Sequence, residues 1–171
     1  NMYAYRFEGY WKDVGTIPSL WEANMEVLDP EHSGINLFDD DWKIYSRNSG
    51  MTGHKINAGA VVENSMITDG CRIKGTVKHS ILFAGVQVEE GAVVEDAVVM
   101  GGSVIKSGAV VKHCIIAEKV TIGENATVGA MPEGDENNVA TVGPGITIGD
   151  NAVIGPKAMV YNNVEGGEEQ W

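Results

Sequence analysis

Cysteine is scarce in this chain, and the scarcity narrows the chemistry. Of 171 residues only Cys71 and Cys114 are cysteines, and they form no CxxC pair. A disulfide framework is thereby excluded, and the histidines at 32, 54, 79 and 113 are too dispersed for the ligand spacing of a zinc module. Long apolar runs are also lacking. No stretch of about eighteen apolar residues exists to cross a bilayer, and the N-terminus has no basic region followed by an apolar core, so neither a spanning helix nor a secretory signal is expected. Cations are few: Lys and Arg total 12 against 24 Asp and Glu, for a net charge of -12. Nucleic acid as a partner is excluded on that balance, because phosphate contacts need clustered basic side chains. The composition suits a soluble protein of the cytoplasm.

What is present is a short repeat. An aliphatic residue returns mostly every five or six positions, at Ile56, Val62, Ile67, Ile73, Leu82, Val88, Val94, Val99, Ile105, Val111, Ile116, Ile122 and Val128. Ile148, Ile154 and Val160 resume the series. Two positions before most of these stands a small residue, among them Ala60, Ser65, Cys71, Ser80, Ala92, Ala97, Ser103, Ala109, Cys114, Ala126, Ala152 and Ala158. Neither a helical period nor one flat strand produces this, whereas stacked rungs around a continuous core do. The fold class is therefore all-β, a hexapeptide-repeat parallel β-helix, and the two cysteines read as small buried hydrophobes. Such helices wind left-handed as a class, against the usual rule for parallel crossovers.

The register is finer than the period. Val77, Val94, Val111 and Val128 are seventeen residues apart, as are Leu82, Val99 and Ile116, and Val88, Ile105 and Ile122. One coil is thus three short strands, stacked at about 4.8 Å. Lys78, Glu95 and Lys112 then form an alternating charge column, and Glu89 and Lys106 a second, which fix register against slippage. Gly70, Gly91, Gly108, Gly123, Gly129 and Gly155 mark corners. Between Ile73 and Leu82 the spacing stretches to nine, predicting a distorted rung. Residues 131–138 (MPEGDENN) read as a loop bulging from a corner, and the end (VEGGEEQW) as a tail with Trp171 capping the open end.

Ahead of the repeat, residues 3–14 are aromatic-rich and predict one or two short strands. Thr16 as N-cap and Pro18 in the first turn predict a helix over 17–28, with Leu20, Trp21, Asn24, Val27 and Leu28 on one side. Asp29 and Pro30 end it. This much chain cannot bury Phe7, Tyr10, Trp11 and Trp21 unaided. Residues 29–54 read as a connector: Asp39, Asp40 and Asp41 form a solvated turn, and Phe38, Trp42, Ile44 and Tyr45 a short strand or anchors onto a neighbour. Three segments follow, 1–28, 29–54 and 55–171.

The run GYWKDVGT followed by SLWEANMEVL, with Gly9, Tyr10, Trp11, Asp13, Val14, Gly15, Thr16, Trp21, Ala23 and Asn24, resembles the end of the catalytic domain of sugar-phosphate nucleotidyltransferases, most closely the bacterial glucose-1-phosphate adenylyltransferases. WKIYS resembles the connector of that family, and the repeat its C-terminal β-helix. The resemblance implies that residues 1–28 are a strand–helix remnant of an α/β catalytic domain. It implies that the intact protein joins ATP and glucose 1-phosphate into ADP-glucose and pyrophosphate for glycogen synthesis, with Mg²⁺. It further implies a homo-oligomer, usually a tetramer, regulated by sugar-phosphate effectors at the junction of the two domains. Asp13 takes the family's metal role, where a hard carboxylate oxygen suits Mg²⁺; without the resemblance, an Asp at this place reads as a turn or helix cap. The glycine-rich nucleotide loop, the phosphate-binding basic residues and the partner carboxylate lie further towards the N-terminus in the family. No catalytic or cofactor-binding residue other than Asp13 is therefore assigned, and the chain alone is expected to be inactive.

One constellation points elsewhere. His79 and His113 are two coils apart with Asp96 midway, a vertical column at one corner. Hexapeptide-repeat acyltransferases use a corner His as general base toward an acyl group carried by coenzyme A, and an acid beside it orients the imidazole. The plainer reading is a surface ladder in which Asp96 accepts hydrogen bonds from both neighbours.

Overall fold

Parallel pairing at regular offsets builds nearly the whole molecule. The computed structural model describes residues 1–46, 48–134 and 138–171. Three faces wind around one core, so the fold is a parallel β-helix. The first face stacks Lys55–Ile56, Arg72–Ile73, Gln87–Val88, Val104–Ile105, Thr121–Ile122 and Thr147–Ile148. The second runs from Val61–Glu63 through Thr76–Lys78 to Glu169–Gln170, and the third from Met66–Ile67 to Met159–Val160. Two longer strands, Val93–Val99 and Val110–Ile116, turn the corner between the second and third faces without breaking.

All the predicted seventeen-residue stacks occur: Val77 on Val94 on Val111 on Val128, Leu82 on Val99 on Ile116, and Val88 on Ile105 on Ile122. From Cys71 onward, inward aliphatics and the small residues two before them are buried, Cys71 and Cys114 included. Burial raises both thiol pKa values, so they stay protonated and pack as small hydrophobes. Each buried Val or Ile stabilises by roughly 1.5–3 kcal/mol relative to exposure, and one contiguous cluster from Cys71 to Val164 gathers them.

The rung expected to be distorted is regular. Thr76–Lys78 pairs with both Val61–Glu63 and Val93–Glu95, and Val77 is a fully buried core residue. What is unusual is the coil's length: Val62 stacks on Val77 and Ile73 on Val88, fifteen residues apart instead of seventeen. The shortened corner is at Gly75, where a Cβ would stand 2.6 Å from the Glu89 carbonyl oxygen and closer still to that of Ala92. Only glycine lets the backbones approach so far.

Further along, Ile122 stacks on Ile148 and Val128 on Ile154, twenty-six residues apart. The surplus falls between Thr127–Val128 and Ala140–Val142, where the loop was expected; its residues 135–137 lie outside the described residues. The C-terminal stretch is no loose tail, because Val164 bridges Ile148 and Glu169–Gln170 pairs with Val153–Ile154 to complete a last coil. Trp171 lies against Gly155 but stays 77% exposed, so strand pairing rather than the indole closes this end.

The charge columns are in register but pair selectively. Lys78 bridges to Glu63 at 3.1 Å and Lys112 to Glu95 at 2.8 Å, each lysine choosing the acid of the preceding coil. Glu89 instead accepts from the Ser107 N–H, and Lys106 reaches Asp150 at 3.9 Å.

The helix α1 spans Ile17–Glu26, two residues shorter than expected. Thr16 caps it: its Oγ1 accepts from the Ser19 N–H at 3.2 Å, and Ser19 Oγ accepts from the Thr16 N–H at 3.1 Å, a capping box with serine in the place usual for glutamate. A four-residue helix, α2 (Pro30–Ser33), follows, with Pro30 in its first turn, where the missing N–H costs nothing. Residues 3–14 form no strands, contrary to expectation, because among the described residues no neighbouring strand offers them a ladder, and of the two expectations for 38–45 the strand is not formed. Tyr3, Tyr5, Trp11, Phe38, Trp42 and Tyr45 are exposed, so the connector's aromatics are not buried by this chain. Asp39 does make the expected turn, accepting from the N–H groups of Asp41 and Trp42.

Candidate functional site

The corner between the second and third faces sets the backbone of Asn64, His79, Asp96 and His113 at φ of 37°, 41°, 50° and 44°. Among residues with a Cβ, Asn, Asp and His tolerate this left-handed region best. The His–Asp–His column thus has a conformational origin, whatever its chemistry. Stacking is as the register predicts, and His79 Nδ1 is hydrogen-bonded to Asp96 Oδ1. The expected symmetric ladder is not formed: His113 Nε2 is buried and has no partner among the described residues.

The reason lies in α1. Trp21 stands over this corner, its ring centroid 4.4 Å from that of His113, and its Nε1–H donates to the Asp96 carbonyl at 2.7 Å. Around it Ile17, Leu20, Met25 and Leu28 pack on the outward side chains Val98, Met100, Ile115 and Val139. Met25, absent from the expected apolar side, is the buried residue of α1, whereas Asn24 turns back to donate to the Leu20 carbonyl at 2.8 Å. His113 is only 5% exposed beneath this cover. Burial pushes its pKa below the ordinary histidine value, against a smaller upward pull from Asp96. It holds a packing position and presents no face to an acyl acceptor, which leaves His79, hydrogen-bonded to Asp96, as the exposed histidine of the column.

The segment before α1 is clamped by polar contacts. Tyr10 Oη donates to Glu26 Oε2 at 2.7 Å, and Lys12 Nζ bonds Glu26 Oε1 at 2.6 Å and Glu22 Oε2 at 3.0 Å. The hydrogen bond from Lys12 holds the Glu26 carboxyl below its usual range, and the same bond raises Lys12. Asp13 lies between clamp and helix, exposed, with Oδ1 accepting from the Gly15 N–H at 2.9 Å. Its local work is therefore the turn-capping one, and its second oxygen is left for another partner. Among the described residues no three His, Cys, Asp or Glu side chains gather as a metal site, so Asp13 belongs to no ready-made cation cage there.

Sequence reasoning missed the docking of α1 on the third face, although a signal was present. In AVV at 97–99 and CII at 114–116 both sides of the strand are apolar, which an open sheet face does not need but a covered one does.

No helix of the described residues is long and apolar enough to cross a membrane. Curated relatives include glucose-1-phosphate adenylyltransferases from Bacillus thuringiensis (strain Al Hakam) and Bacillus cereus, each 57% identical over 93 residues. The match covers 54% of this chain and 24% of either relative, so the chain spans about a quarter of their length. Among solved structures, the acetyltransferase domain of PglB from Neisseria gonorrhoeae FA1090 is 18% identical over 70% of this chain and 54% of that one, with a TM-score of 0.49. That likeness is too slight to bear on function. The family described as GlmU-like, C-terminal hexapeptide matches residues 49–149, and with the repeat, the coil register and this match in agreement, the chain belongs to that family.

Proposed function

We propose that this chain is the assembly and regulatory C-terminal part of a glucose-1-phosphate adenylyltransferase, inactive by itself. The carrying observation is the contact of α1 with the β-helix. Residues 9–24 resemble the end of the catalytic domain, and Trp21 fixes that end to the Asp96–His113 corner. A change in the coils is then transmitted to the catalytic domain through a packed helix as well as along the connector of residues 29–54. In the intact enzyme the phosphate of glucose 1-phosphate attacks the α-phosphorus of ATP and pyrophosphate leaves. Asp13 would hold Mg²⁺ there through one carboxylate oxygen while its other oxygen keeps the turn, and the bound ion would supply charge neutralisation on the nucleotide phosphates. Exposed Tyr3, Tyr5, Phe7 and Trp11 suit burial against the rest of the catalytic domain. The β-helix, with flat faces, supports a homotetramer of such subunits.

The reading is tested by joining this chain to the N-terminal three-quarters of the Bacillus cereus relative. The chimera should release pyrophosphate and form ADP-glucose from ATP and glucose 1-phosphate, and the chain alone should form none. Turnover by the chain alone refutes the reading, as does a chimera that sediments as a monomer.

A further inference from the structure

The last turn of α1 carries an acid where a helix favours a base. Partial negative charge gathers at a helix C-terminus, yet α1 has no basic residue in its last turn and ends on Glu26. Glu22, one turn earlier, adds a second carboxylate on the same side, and like charges four positions apart repel. Within the helix both acids are therefore unfavourable, and their reason lies outside it. Lys12 Nζ sits between them, 2.6 Å from Glu26 Oε1 and 3.0 Å from Glu22 Oε2, and supplies the cation that the helix end lacks. Tyr10 Oη donates to Glu26 Oε2 at 2.7 Å. Each oxygen of one carboxylate thus holds a different residue of the segment before α1.

Tyr10 and Lys12 alternate with Trp11 and Asp13. The first two are half-buried and reach the helix, whereas Trp11 and Asp13 are exposed. Neighbours in an extended chain point to opposite sides, so fixing residues 10 and 12 on α1 fixes residues 11 and 13 away from it. The pairing of Lys12 with α1 also keeps its ammonium from the carboxylate next to it in the chain, where it would compete with a metal ion. The hydrogen bond from the Gly15 N–H to Asp13 Oδ1 sets this carboxylate relative to its own backbone. The contacts of Tyr10 and Lys12 set that backbone relative to α1, and Trp21 fixes α1 to the coils.

We infer that Glu26 is a positioning residue for Asp13: by holding Tyr10 and Lys12 it sets where the Asp13 carboxylate stands to receive Mg²⁺. The inference rests on the adenylyltransferase reading, because it is there that Asp13 meets the ion. Glu26 acts through its two partners.

Two measurements test it. In the chimera with the Bacillus cereus relative, ADP-glucose formation is followed against Mg²⁺ concentration. Glu26→Gln should raise the half-saturating Mg²⁺ at least fivefold and lower kcat at saturating Mg²⁺ by less than twofold, because glutamine has no charge for Lys12 and one acceptor oxygen for two donors. Lys12→Gln should give the same rise and the double variant no further rise, since both act through one contact. Lys12→Arg should stay within twofold of the wild type, as should Glu31→Gln, which removes an acid of α2 outside the clamp. In the chain alone, without metal, exchange of the Gly15 amide followed by NMR should quicken at least fivefold in Glu26→Gln. The Leu20 and Asn24 amides should keep their rates and the melting temperature should stay within about 2 °C.

A wild-type chimera that makes no ADP-glucose overturns the adenylyltransferase reading and this inference with it. With an active wild type, an unchanged Mg²⁺ requirement in Glu26→Gln overturns this inference alone, as does a Gly15 amide that exchanges at the wild-type rate. Faster exchange at Leu20 and Asn24 also overturns it, because Glu26 would then be a structural residue of α1.

Discussion

Replacing Trp21 with alanine separates two kinds of stability in this molecule. The indole is half-buried, so its truncation costs about half of the ~3–5 kcal/mol typical of a core aromatic. The hydrogen bond from Nε1 to the Asp96 carbonyl, 2.7 Å long, adds about 1 kcal/mol. The loss is roughly 3 kcal/mol, carried by α1 and not by the coils, whose core cluster does not include Trp21. A ten-residue helix is marginal in water on its own; once undocked, it melts. Amide exchange followed by mass spectrometry should therefore show protection across Ile17–Glu26 falling by roughly 100-fold, at about 1.4 kcal/mol per tenfold, with Val93–Val99 and Val110–Ile116 unchanged. Equal loss of protection in both strands would show that α1 and the coils unfold as one unit. Unchanged exchange in α1 would show that the packing of Met25 and Leu20 suffices without the indole. Either result refutes the reasoning.

Other perturbations have defined outcomes. His113 has a depressed pKa when folded, so the unfolded chain binds the extra proton first on acidification. Its stabilising contribution is complete above about pH 6.5, is lost as pH falls through the lower folded value, and should vanish from the pH profile of denaturant midpoints in His113→Asn, which tolerates the corner's φ of 44°. Gly75→Ala drives a methyl onto two backbone carbonyls and should cost about 2 kcal/mol, lowering the melting temperature by about 4–8 °C; Gly53→Ala, with open space around it, should shift it by less than about 2 °C. Ser80→Ala should cost about 1–3 kcal/mol in chemical denaturation, since the buried Ser80 Oγ accepts from the Ala97 N–H at 3.1 Å and donates to the Lys78 carbonyl.

The coils are legible in the sequence because a solenoid repeats one physical problem. Each inward position must be aliphatic and each tight corner small, so the spacing of Val77, Val94, Val111 and Val128 already carries the strand register. The rung of Val77 misleads for the same reason: a coil two residues short breaks the spacing while leaving the stacking intact, and the glycine that permits it reveals itself only by the neighbouring carbonyls. The His79–Asp96–His113 column is legible as geometry and not as chemistry. What distinguishes its members is a helix seventy-five residues away, counted from Trp21 to Asp96. Residues 3–14 mislead because aromatic content signals burial without naming a partner, and strand propensity without a neighbouring strand makes no strand.

The alternation along the second face has a consequence for length. Glu63, Lys78, Glu95 and Lys112 repeat their sign only every second coil, so the natural unit of the array is a pair of coils, near thirty-four residues, and not the single turn that backbone pairing alone would allow. Excising the seventeen residues that carry Glu95 would restore every strand pairing yet set Lys78 directly against Lys112 and His79 against His113. Excising an even number of coils keeps opposite signs adjacent. Parity, which no single coil records, limits how an array of this kind can lengthen or shorten by whole turns.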